Sequence, residues 1–179
     1  MFGSFPECSQ GANAYQGELM GLMAIHLILL AANKVWPNLR GRALIYSDCL
    51  GALGRVANLP PHRIPTKCQH SDILRNIFVS CTSLSFTLEY SHVKAHQDDH
   101  KEFSTLPSPA QLNVHCDGMA KNVIWGFSGE QLPNQRCFSM ELVSVWVGED
   151  KMASDTSKLL KFWVHKQLAE QTFYQLGLM

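Results

Sequence analysis

An α/β fold, with helices laid against a sheet, is what this sequence predicts, and three observations carry the expectation. The stretch from Ala14 to about Val35 is rich in Leu, Met, Ala and Ile and reads as a helix. Two short segments, Ala43-Leu44-Ile45-Tyr46 and Phe86-Thr87-Leu88-Glu89-Tyr90, have strand character, the first as a continuous apolar run and the second by alternation. Further segments with apolar residues at helical spacing lie between and after them.

Taken in order, residues 1–13 are turn-rich, with room for one brief strand around Phe2 to Phe5. The first helix runs from Ala14 until Trp36-Pro37-Asn38 stops it. Leu39 to Ser47 reads as a buried strand, and Ser47 and Asp48 are placed to cap a helix from Cys49 to Asn58. Leu59-Pro60-Pro61-His62-Arg63-Ile64-Pro65 is a stiff loop. Ser71 is the expected cap of an amphipathic helix carrying Ile73, Leu74, Ile77, Phe78 and Cys81. The strand around Phe86 to Tyr90 then delivers His92-Val93-Lys94-Ala95-His96. A polar insertion, Gln97 to Pro109, precedes a helix carrying Asp117. Beyond Gly126, Phe138 to Val147 alternates like a strand, Gly148-Glu149-Asp150 reads as a turn, and Asp155 opens a helix to about Leu176. The pattern Leu159, Leu160, Trp163, Val164, Leu168 is the packing face of that helix. The expected division is a domain over 1–125 and a strand-and-helix extension over 126–179.

Composition narrows the function classes. The chain has 179 residues, 46% of them hydrophobic, enough for a packed core. Fifteen basic residues balance fifteen acidic ones, so charge gives no independent argument for a nucleic-acid partner. Six scattered cysteines without a CxxC pair point to a reducing, intracellular compartment. The apolar run Leu19 to Ala32 is too short for a bilayer, which needs about 20 residues, and no basic leader precedes it. Cys68, His70, His92, His96, His115 and Cys116 do not fall into a recognised zinc spacing.

Three acidic stations remain: Glu18 in the long helix, Asp48 at the end of a strand and Asp117 on a later helix. Each has a plainer use. Glu18 suits a helix N-terminus, Asp48 suits a cap and Asp117 suits a solvated face. Together they are residues that hold hydrated divalent cations, and such cations activate water and stabilise displacement at a phosphodiester.

On these residues the chain resembles the ribonuclease H family, in the form associated with reverse transcriptases of retroelements. The resemblance rests on the helix around Glu18, on Tyr46-Ser47-Asp48, on His92 to His96, and on Asn113, Asp117 and Ala120-Lys121, in the family's order over roughly residues 14–125. It implies a ribonuclease H-like mixed sheet flanked by helices, with a C-terminal strand or hairpin plus helix appended. It also implies metal-dependent cleavage of the RNA strand of RNA–DNA hybrids with two Mg2+ (or Mn2+) ions. Glu18, Asp48 and Asp117 would hold metal, His96 would assist proton transfer or product release, and Asn113 would support the site. Arg55 and Lys94, among the basic residues Arg40, Arg42, Arg63 and Lys67 near the site in sequence, would meet nucleic acid through phosphate and 2′-hydroxyl contacts. The implied partners are a hybrid duplex and the reverse transcriptase portion of a polyprotein, with no membrane.

The sequence departs from the family at its start. The family's first carboxylate is an Asp on a leading strand, whereas Glu7 is the sole acid before Glu18 here. The expectation is a domain missing its N-terminal strands. Its alternative function is a catalytically inactive, retroelement-derived binding or interaction module.

Overall fold

The computed structural model describes residues 13–59, 68–126, 146–147, 150–151 and 156–175. The chain is α/β. The first helix, α1 (Ala14–Val35), opens on Asn13, whose side chain accepts the Gln16 amide at 2.8 Å. Glu18 therefore sits in the second turn, past the reach of a simple dipole role at the helix start. By length and composition α1 could cross a membrane. Its Gln16, Leu19, Leu22, Met23, His26 and Leu30 face is instead buried in the fold.

Strand β1 (Arg42–Ser47) lies parallel to β2 (Thr87–His92), in a register that pairs Ser47 with His92. Helices α2 (Leu50–Ala57) and α3 (Ser71–Thr82) make the crossover between them. A parallel pair requires such a connection, because a tight hairpin cannot reverse the chain twice. The main core joins Leu19, Leu22 and Met23 of α1, Ile45 of β1, Leu53 and Val56 of α2, and Ile73, Leu74 and Ile77 of α3. A chain of polar contacts crosses this layer. His26 donates from Nδ1 to the Leu22 carbonyl at 2.7 Å, which leaves Nε2 to accept from the Tyr90 hydroxyl at 2.7 Å.

A second, smaller core of Val93, Leu106 and Ala110 seats α4 (Ser108–Gly126) beside β1. Two short 3-10 turns, Gln97–Asp99 and Phe103–Thr105, fill the expected polar insertion. Strands β3 (Trp146–Val147) and β4 (Asp150–Lys151) pair antiparallel, and α5 (Thr156–Gln175) follows. Lys151 Nζ lies 3.2 Å from Asp72 Oδ2, and both side chains are largely buried, so the extension contacts the first turn of α3.

Several expectations need correction. The predicted mixed sheet is represented, among the described residues, by the parallel pair β1–β2 and a separate antiparallel pair β3–β4. β1 is not buried on both faces: Leu44 is 50% exposed, while Ile45 is 4% exposed. His70, in a left-handed conformation, takes the cap position of α3, and Ser71 is its first helical residue. Cys49, without a side-chain bond, takes the cap position of α2. On α5, Leu160, Val164 and Leu168 are exposed rather than packed. The brief strand at Phe2 to Phe5, the 60–65 loop and the 138–145 strand pattern lie outside the described residues.

Candidate acidic site

The C-terminal ends of parallel strands are where side chains from different elements can converge, because β1 and β2 finish side by side. α1 runs antiparallel to β1. Its first turns approach Ser47, and Asn33 near its other end accepts the Ser85 amide at 3.2 Å and the Ser85 hydroxyl. Glu18 is thus delivered to the same end of the sheet as Asp48. α4 brings Asn113, and Asp117 one turn further on stands on the same helix face.

The contacts are specific. Ser47 donates from Oγ to Glu18 Oε2 at 3.3 Å and accepts the Cys49 amide on the same oxygen at 3.1 Å. Asn113 donates from Nδ2 to Asp48 Oδ2 at 3.2 Å. His92 donates from Nε2 to the Asp48 carbonyl at 3.1 Å. Asp48 therefore faces α4 and does not cap α2.

Electrostatics links all three acids. Burial pushes the Glu18 carboxyl above its usual range, the Asp48 charge raises it further, the Ser47 hydroxyl opposes this, and Asp117 adds a smaller push upward. Mutual repulsion of this kind is what a bound cation relieves. The oxygens are of the type a hard divalent ion selects. They do not close into a finished cage, however. Among the described residues no group of three or more His, Cys, Asp or Glu side chains stands ready to hold an ion. Mg2+ commonly uses one or two carboxylates, retains several waters and takes further oxygens from substrate phosphates. The donor set fits that open mode of binding.

The remaining predicted site residues are placed less centrally. His96 is exposed, in a left-handed conformation with φ of 52°, on the loop after β2. The 3-10 turn that follows it packs against α4. Arg55, on the last turn of α2, and Lys94 are both exposed. Among the described residues no hydrogen bond or ion pair joins His96, Arg55 or Lys94 to the three carboxylates. Arg42 pairs with Glu89 at 3.0 Å and Arg40 donates to the Pro37 and Leu39 carbonyls, so both are engaged at the opposite end of the sheet. Arg63 and Lys67 lie outside the described residues.

Sequence reasoning missed Ser47 and His92 as parts of the site. Their signal was the register of two parallel strands, which sets the last residue of one beside the last residue of the other. Compared with known proteins, the chain matches no family model, no curated protein and no solved structure.

Proposed function

We propose that this chain is a ribonuclease H-like domain of retroelement origin that hydrolyses the RNA strand of RNA–DNA hybrids with Mg2+ or Mn2+. The observation that carries the reading is the arrival of Glu18, Asp48 and Asp117, from three separate elements, within electrostatic reach at one end of a parallel strand pair. Glu18, Asp48 and Asp117 would hold the metal, which when bound lowers the pKa of water and stabilises charge on the phosphate.

The chain's own groups have separable tasks. Asn113 orients the Asp48 carboxylate, Ser47 orients that of Glu18, and His92 anchors the Asp48 backbone. His96, on an exposed loop, would move a proton near neutral pH. Arg55 and Lys94 would meet the phosphates of the duplex. An intracellular setting, beside a reverse transcriptase, accords with the free Cys49, Cys68, Cys81 and Cys116.

A second reading has its own observation. Glu7 is the sole acid ahead of Glu18, in place of the Asp that leads the family the chain resembles, and this favours a catalytically inactive module that binds nucleic acid through the same face. One experiment separates the two. The purified chain is incubated with an end-labelled RNA–DNA hybrid and Mg2+ or Mn2+, beside duplex DNA and single strands. Cleavage of the RNA strand alone, reduced about 100-fold or more in Asp48→Asn, supports the enzyme. Hybrid binding without cleavage supports the module, and neither binding nor cleavage refutes both.

A further inference from the structure

We propose that the turn between α1 and β1, residues 36–40, is a binding site for single-stranded nucleic acid, with Trp36 as the platform on which a base stacks. The inference goes beyond the proposed nuclease reading and does not need hydrolysis at the acidic end.

The turn is a fixed structure with an exposed ring. Trp36 is 62% exposed, and Val35 and Leu39 beside it are exposed as well. Single exposed apolar side chains are ordinary, whereas a group of them marks a surface that meets something. Trp36 ends α1 by donating its amide to the Ala32 carbonyl at 2.8 Å, and the Leu39 amide returns to the Trp36 carbonyl at 3.0 Å. Ser85 donates to the Leu39 carbonyl at 2.7 Å and ties the turn to the segment before β2. The ring is therefore carried on a backbone that is already ordered, so little freedom is lost when a flat ligand settles on it.

Charge identifies the ligand. Between Glu18 and Asp48 the chain carries Lys34, Arg40 and Arg42 and no acidic residue. Arg42 pairs with Glu89, while among the described residues no carboxylate pairs with Lys34 or Arg40, and both are exposed. Cations that serve a lipid surface reach out on free stems. The Arg40 guanidinium is instead pinned, donating from Nη1 to the Pro37 carbonyl at 2.8 Å and to the Leu39 carbonyl at 2.9 Å. Its remaining N–H groups are set in place for a phosphate. An exposed aromatic face with fixed cations beside it is the equipment of a single-strand site. A duplex keeps its bases stacked on one another, so the Trp36 ring selects unpaired bases. The site lies at the start of β1, about 20 Å from the acidic end across six residues of strand.

Fluorescence anisotropy of end-labelled oligothymidylate, about 12 nucleotides long, tests this on the full chain in EDTA, where the bare carboxylates at the acidic end repel phosphate. The wild type should bind it more tightly than a blunt duplex of the same length. Trp36→Ala should weaken binding about 10-fold or more, Trp36→Leu should do the same, and Trp36→Phe should keep most of the affinity. Lys34→Gln and Arg40→Gln should each lower the slope of log affinity against log salt by about 0.7. No binding, equal binding of the duplex, or unchanged affinity in Trp36→Ala overturns the proposal. So does Trp36→Leu binding as well as wild type, which is apolar docking without stacking. Binding to phosphatidylserine vesicles but not to the oligonucleotide overturns it in favour of a membrane surface. Should Trp36→Ala fail to fold, charge reversal at the exposed Lys34 decides: Lys34→Glu with undiminished affinity overturns the proposal. None of these readouts uses cleavage of a hybrid, so failure here leaves the proposed function standing.

Discussion

The Ser47 hydroxyl, at the end of β1, donates to Glu18 Oε2 across 3.3 Å while accepting the Cys49 amide at 3.1 Å. One oxygen therefore steadies a candidate ligand and the entry to α2 together. Ser47→Ala should cost about 1 kcal/mol in chemical denaturation. It should also raise the Glu18 pKa, since among the described residues the hydroxyl is the group that lowers it. Carboxyl chemical shifts followed against pH will show whether it moves.

Neutralising the other acids should have the opposite effect on Glu18. Asp48→Asn should bring its pKa down toward the ordinary carboxylate range, and Asp117→Asn should do so by less, because Asp48 is the stronger influence. Equal shifts, or none, would remove the evidence that the three acids share a site.

Glu18 also makes stability depend on pH. A carboxyl whose pKa is raised on folding holds its proton more tightly in the native state than in the unfolded one. Its favourable contribution is complete below about 4.5, the ordinary value, and is lost as pH rises through the raised value. Glu18→Gln should therefore stabilise the protein at pH 7, by less than about 1 kcal/mol because solvent screens the half-buried group. Thermal melts with and without Mg2+ provide the complement. The wild type should gain melting temperature on adding the ion, and the variant should gain less.

The His26–Tyr90 pair predicts a second pH effect, of opposite sign. Burial holds the His26 imidazole below its ordinary value of 6.5, although the Leu22 carbonyl partly opposes this. As pH falls below 6.5, the unfolded chain takes up a proton that folded His26 refuses. Stability should drop by about 1.4 kcal/mol per pH unit until the lowered value is passed. His26→Leu should flatten that slope in denaturation series between pH 5 and 7, with the range set by the shift from 6.5. At pH 7 it should cost about 1–3 kcal/mol by leaving the Tyr90 hydroxyl with the weaker contact to Cys81 Sγ at 3.8 Å in place of its bond to His26, and adding Tyr90→Phe should recover part of the loss.

Local patterns in the chain were enough to place the helices and strands of the described residues 14–126 in their order. The Leu- and Met-rich run ending at Trp36-Pro37 made α1, the alternation around Leu88 and Tyr90 made β2, and the acids at 18, 48 and 117 were visible as isolated letters. Such patterns act over a few residues, so they misjudged whatever depends on a distant neighbour. Position alone makes Asp48, with Ser47, a cap for α2 because it precedes that helix, yet its carboxylate turns to Asn113, 65 positions away. The Ala43–Tyr46 run suggested burial on both faces, but hydrophobicity cannot say which edges and faces of a strand are covered. Only tertiary structure decided that Ser47 and His92 belong with Glu18, because the parallel register and the direction of α1 set them at one end of the sheet.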